Sequence, residues 1–166
     1  MTDEEIRATE QQADDLAGRV IIALAAENAA RTGAIRHLTL DDLDLANRRI
    51  TLAGRRQRVG DLSYRVLRRW LRHRRTTWAH THNPHVLISD KTAHGTAPIS
   101  QQFVTLRMNR AGCSVDRIRK DRILHEAVAG GADPLHLSLV FGISHNTAAR
   151  YSAVAEHLLA DFDGEK

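Results

Sequence analysis

Between residues 49 and 59 the chain changes its period. Arg49-Ile50-Thr51-Leu52 alternates polar and apolar, and Ala53-Gly54-Arg55-Arg56 turns it into Gln57-Arg58-Val59. Alternation on both sides of a short turn predicts strand, tight turn, strand. What flanks this hairpin has the 3.6-residue period of helices, so the chain reads as α+β, mainly α. It predicts a single helical domain over 1–166 with a small antiparallel sheet of three strands. Val86-Leu87-Ile88, an apolar run between Pro84 and Asp90, is the expected third strand, pairing with the hairpin.

The helices have legible ends. Leu16, Val20, Ile21 and Leu24 predict an amphipathic helix from about residue 14 towards Arg31, and Thr2-Asp3-Glu4-Glu5 has the composition of an earlier helix cap. Ser63 to Trp78 reads as a helix with Val66, Leu67, Trp70 and Leu71 on one stripe. Arg65, Arg68, Arg69, Arg72 and Arg75 fall on the other face. After Pro98 the pattern is wholly helical. Ser100, Ser114 or Asp116, Asp133-Pro134 and Ser144 open successive helices, and Gly112, Gly130-Gly131 and Gly142 close three of them. Residues 1–13 form an acidic N-terminal segment and 161–166 a polar tail.

Composition narrows the function. Lys and Arg total 24 against 20 Asp and Glu in 166 residues, with a pI near 9.8, and nearly all of the positive charge is arginine. Between Arg48 and Arg75 the only acidic residue is Asp61. A helix face of guanidinium groups without interspersed Glu suits the DNA backbone, since each group pairs bidentately with phosphate. Arg55, Arg58, Arg65, Arg68, Arg69, Arg72 and Arg75 are therefore expected DNA contacts. One cysteine excludes an internal disulfide. No apolar run is long enough to span a membrane. No Gly-rich phosphate loop and no Gly-x-Ser-x-Gly turn occurs, which removes nucleotide hydrolysis and serine hydrolase chemistry. The ten histidines form no ligand pattern; His80, His82 and His85 read as a solvated loop rather than a zinc site.

Three weaker motifs lie in a fixed order. Arg31 follows Asn28-Ala29-Ala30 and precedes a short helix, Asp41-Asp42-Leu43-Asp44 and the arginine-bearing hairpin. Asp116-Arg117-Ile118-Arg119 opens a later helix. Val140-Phe141-Gly142-Ile143-Ser144 is followed by Tyr151, nine residues beyond Gly142. Over roughly residues 14 to 160 this order resembles the catalytic domain of tyrosine recombinases, the phage integrase family. The resemblance implies that Arg31 and Arg119 are the two catalytic arginines and Tyr151 the nucleophile. It puts Asp116 where the family has histidine, Ile143 where it has histidine or tryptophan, and Arg55 and Arg56 where it has a hairpin lysine. Arg56 and Asp116 thus occupy assisting catalytic positions.

What the resemblance implies is DNA cleavage and rejoining through a phosphotyrosine, weakened by those replacements, with no metal or nucleotide cofactor. The expected partner is double-stranded DNA, with a separate core-binding domain or a homo-oligomer completing the grip. The family's N-terminal core-binding domain has no counterpart in this chain. The expected location is the cytoplasm, at the nucleoid. Two plainer readings use the same residues. Arg31 fits a helix-end arginine satisfying carbonyls. Leu137 to Tyr151 also fits a non-enzymatic helix-turn-helix, in which Ser144 to Arg150 enters the major groove and Asn146, Thr147 and Arg150 meet DNA. A structural protein whose arginines bind an acidic partner is the third class.

Overall fold

The structure, a computed structural model, describes residue 4 and residues 16–164. The expected cap at Thr2–Glu5 and most of the acidic segment lie outside the described residues. Among residues 16–164, seven helices and one sheet follow in order: α1 (Leu16–Asn28), α2 (Thr32–Arg36), a 3-10 turn (Leu40–Asp42), β1 (Leu43–Asp44), β2 (Arg49–Leu52) and β3 (Arg55–Arg58). Then come α3 (Asp61–Thr77), α4 (Gln101–Arg110), α5 (Val115–Ala129), α6 (Pro134–Phe141) and α7 (His145–Gly164). The mainly helical α+β class and the three antiparallel strands are as the sequence implies.

The third strand is not the expected one. The sheet runs β1-β2-β3, with Leu43 opposite Ile50 and Leu52 opposite Arg55. Leu43–Asp44, the end of the Asp41-Asp42-Leu43-Asp44 run, joins β2 across a turn closed by Asn47, whose backbone and side-chain N–H groups bond the Asp44 carboxylate at 3.2 and 2.9 Å. So near a neighbour closes cheaply. Val86, Leu87 and Ile88 are all at most 1% exposed and show no alternation. Their segment bonds the stretch before the sheet instead, with Val86 N donating to the Leu38 carbonyl and a bridge between Thr39 and His85.

α1 is central rather than amphipathic. Every residue from Val20 to Leu24 is fully buried, because α3 packs on one side and α5 on another, and a helix surrounded this way is apolar all round. The serine and aspartate caps form as predicted: Ser100 accepts from Phe103 N, Ser114 from Arg117 N and Asp133 from Leu135 N, with Pro134 at the first helical position. Gly142 ends α6 at φ 61°, the left-handed region that glycine enters without penalty. α7 continues through Asp161 to Gly164, so part of the expected tail is helix.

Two apolar cores result. The larger joins α1, α2, the sheet, α3, α4 and the first half of α5 through Val115 and Ile118. The smaller gathers Ile123, Ala127, Leu137, Ile143, Ala148 and Ala155 around the second half of α5, α6 and α7. Ala29 belongs to the smaller and Ala30 to the larger. Arg31 follows directly after these two alanines.

Candidate DNA-cleavage site

The backbone after α1 is shaped to present one side chain. Ala29 sits at φ 48°, an uncommon conformation for a non-glycine residue, and Ala30 N donates back to the Leu24 carbonyl. Arg31 is then extended, φ −80° and ψ 154°, and caps α2 with its carbonyl accepting from Ile35 N at 3.0 Å. Its side chain is exposed. Among the described residues its guanidinium takes no helix-end carbonyl, so the plainer reading of Arg31 loses its support.

Arg119 lies in the second turn of α5, between Ile118 of the larger core and Ile123 of the smaller. It is half-buried, and its Nε is enclosed with no hydrogen-bond partner among the described residues. Burial lowers the guanidinium pKa from its usual value, and the charge of Arg31 lowers it further, while Tyr151 and Asp116 oppose both. Arg31, Asp116 and Tyr151 are therefore all within electrostatic reach of Arg119. Tyr151 is half-buried on α7, its ring packed against the smaller core with Phe141, Leu124 and Val128. Asp116, on the first turn of α5, is exposed.

The hairpin arginines divide by strand parity. Arg55, opposite Leu52, is half-buried; it donates to the Leu139 carbonyl at the end of α6 and lies against Gly142. Arg56 points to the other face, 3.5 Å from the Asp44 carboxylate. That carboxyl is held below its ordinary pKa, mainly by the Asn47 side chain and then by Asn47 N–H, with Arg56 a smaller contributor. Arg58 is exposed. Ile143 is 5% exposed within the smaller core, so nothing polar stands at that position of the site.

On α3, Arg65, Arg68, Arg69, Arg72 and Arg75 are all exposed, and no carboxylate among the described residues pairs with them. Arg48 takes the nearby Asp61 at 2.9 Å and stacks 3.7 Å over Tyr64. Asn146, Thr147 and Arg150 are exposed on the first turns of α7, but the Thr147 hydroxyl is occupied by Ser144 Oγ at 2.9 Å.

Sequence reasoning passed over several residues that hold this frame. Arg74 sits on the apolar face of α3, 6% exposed, donating to the Asn83 and His85 carbonyls at 2.6 and 3.0 Å. With Trp70 Nε1 on the Val86 carbonyl, it pins the histidine loop to α3. Burial first, then the charge of His37, lowers the His85 pKa. His80 and His82 are exposed. Among the described residues no three metal-binding side chains are grouped, and no helix is long and apolar enough to cross a membrane. Arg36 Nε ties α2 to the Ile99 carbonyl at 2.8 Å. Glu126, between Arg122 at 2.9 Å and His136 at 3.0 Å, ties α5 to α6. Counting helical positions exposes Arg74 as apolar-facing; nothing local signals the long-range pairs.

A central buried helix, a three-stranded sheet to one side and a C-terminal helical layer bearing a tyrosine make up the fold of a tyrosine recombinase catalytic domain. Solved structures with this fold include XerA recombinase, 17% identical with a TM-score of 0.77 over 98% of this chain and 64% of that one. XerH site-specific recombinase bound to its difH substrate before cleavage is 15% identical, with a TM-score of 0.70 over 92% of this chain and 49% of that one. XerH on a palindromic difH substrate after cleavage is 15% identical, with a TM-score of 0.72 over 98% and 52%. No protein-family model and no curated protein matches the sequence. At such identities the likeness is one of fold, and the chain spans between about half and two thirds of those proteins' length.

Proposed function

We propose that this domain binds double-stranded DNA and cleaves and rejoins one strand through a covalent Tyr151 intermediate, slowly. What supports the reading is the recombinase-like fold together with the electrostatic influence of both Arg31 and Tyr151 on the half-buried Arg119. In the forward step the Tyr151 hydroxyl gives its proton to water as its oxygen bonds to phosphorus, the bond from phosphorus to the 5′ oxygen breaks, and that 5′ oxygen takes up a proton. Religation reverses each change. The phosphotyrosine keeps a phosphodiester-like bond, so no external energy is needed to rejoin. Arg31 and Arg119 neutralise the charge that builds on the non-bridging oxygens.

Proton delivery is the weak step. General acids contribute about 10²–10⁴ in rate, and arginine serves poorly because its pKa stays above about 12. Arg55 and Arg56 hold the hairpin position, Ile143 is core, and Asp116 adds negative charge beside the phosphate. A leaving group that needs no proton bypasses this defect. A duplex library of randomised sequence with a bridging 5′ phosphorothiolate should trap a covalent adduct, seen as a shifted band on a denaturing gel and mapped to Tyr151 by mass spectrometry. Tyr151→Phe, Arg31→Ala and Arg119→Ala should each abolish it. An adduct that survives Tyr151→Phe, or none from the unaltered chain, overturns the cleavage reading.

The helix-turn-helix reading keeps one support, the three-residue turn with left-handed Gly142 between α6 and α7. It leaves the sheet, α3 and the Arg31–Arg119 pair without a role, and it ranks second.

A further inference from the structure

The last turn of α1 carries two polar residues that neither phosphate contact nor strand cleavage uses. Glu27 follows a run of buried apolar residues, yet its carboxylate reaches α3. One oxygen accepts from Leu62 N at 3.0 Å and the other from Ser63 N at 2.9 Å. α3 has no cap of its own, since Gly60 stands at that position, and a Cβ there would lie 2.5 Å from the Glu27 carboxylate. The Glu27 carbonyl accepts from Arg122 Nε on α5 at 3.4 Å. Asn28, 7% exposed, donates through Nδ2 to Gln57 Oε1 at 3.2 Å and to the Arg58 carbonyl at 3.0 Å on β3.

One dipeptide, three residues before Arg31, thus touches α3, β3 and α5. α5 bears Arg119 one turn before Arg122, β3 bears Arg55 and Arg56, and α3 bears the arginine face. α1 is rich in alanine where it is buried. Small side chains set the distance between packed helices but leave sliding and rotation weakly specified, whereas hydrogen bonds are directional. A carboxylate at this depth is also costly unless paired, which holds Glu27 to its two partners.

We infer that Glu27 and Asn28 are positioning residues that fix Arg31 relative to Arg119 and to the hairpin. The use made of that placement rests on the cleavage reading; the placement itself is measurable without DNA. The side-chain Nε–Hε NMR signals of Arg31 and Arg119, assigned with Arg31→Lys and Arg119→Lys, report it. Ser100→Ala is the control: it removes a comparable helix cap, to Phe103 N at 3.1 Å, from α4, which bears neither arginine.

Both signals should move in Glu27→Ala and Asn28→Ala and stay in place in Ser100→Ala at similar thermal stability. Glu27→Gln, which keeps one acceptor oxygen, should shift them less and in the same direction, and it serves if the alanine variant does not fold. With the phosphorothiolate duplex, adduct yield per bound complex should fall by about tenfold to 100-fold while duplex affinity stays within about twofold. Signals unmoved in the folded Glu27 and Asn28 variants, or moved equally in Ser100→Ala, overturn the inference. A chain that forms no adduct overturns the cleavage reading alone, and the NMR comparison still decides the placement.

Discussion

Replacing Arg68, Arg69 and Arg72 together by alanine tests whether α3 lies against a phosphate backbone. Arg65 and Arg75 are ten residues apart, about 15 Å along the axis, and all five arginines fall within an arc of about 120°. Duplex DNA presents one charge per about 1.7 Å, so a helix of this length meets enough phosphates for every one of the five to find a partner. Each guanidinium taken away from a phosphate should reduce the slope of log affinity against log salt by up to about 0.9, about 2.7 for three. Between about 50 and about 200 mM salt, the unaltered chain should weaken by up to about 40-fold more than the variant. Fluorescence anisotropy with two unrelated labelled duplexes reads both slopes. The loss should be the same on both, because phosphates carry no sequence. Folding should change by less than about 0.5 kcal/mol, as these are surface side chains; the interaction at stake is Arg68 over Tyr64 at 5.5 Å. An unchanged slope, or a loss confined to one duplex, refutes the claim that this face meets DNA.

Gly142→Ala should cost about 1–2 kcal/mol for the left-handed backbone and about 1 more for displacing Arg55 from the Leu139 carbonyl. In an Arg55→Ala background the second cost should vanish, and a denaturant double-mutant cycle without coupling would refute the pairing. Asn146→Ala with Thr147→Ala should leave discrimination among duplexes nearly intact and lower adduct yield; selective loss of discrimination at constant non-specific affinity would favour the helix-turn-helix reading. The Glu126 carboxyl is held below its ordinary value of 4.5, chiefly by the His136 hydrogen bond and then by Arg122 against burial. Its stabilisation is therefore complete above that value and lost as pH falls through the lower folded one. Glu126→Gln should flatten the acid limb of thermal stability, and an unchanged limb would show that another group sets it.

The fold class was legible because helix ends are chemically marked: each serine or aspartate cap and the closing glycines act within a few residues. The sheet was half legible. Arg49–Arg58 alternates, but Leu43–Asp44 is too short to show a period, and Val86–Ile88 is apolar because it is buried on all sides. Arg31, Arg119 and Tyr151 could be grouped as candidates from their order along the chain, since that order resembles a known domain. Arg55 was not: its partner is 84 residues away, and only the alternation of β3 separates it from Arg56. Glu27 and Arg122 were invisible for the same reason, being set by tertiary distance rather than local pattern.

The division into two cores has a consequence for how the molecule opens. The smaller core holds few large side chains and several alanines, so its cohesion per residue is low. α6 and α7 pack chiefly on α5, with Arg55 on the Leu139 carbonyl as a tie to the sheet. They form a unit able to come away while α1 stays enclosed. Amide hydrogens of α7 around Tyr151 should exchange orders of magnitude sooner than those of Val20 to Leu24, which wait for the whole domain to unfold. Tyr151 thus rides on the layer with the thinner core, and this layer can loosen while α1 and the sheet stay closed.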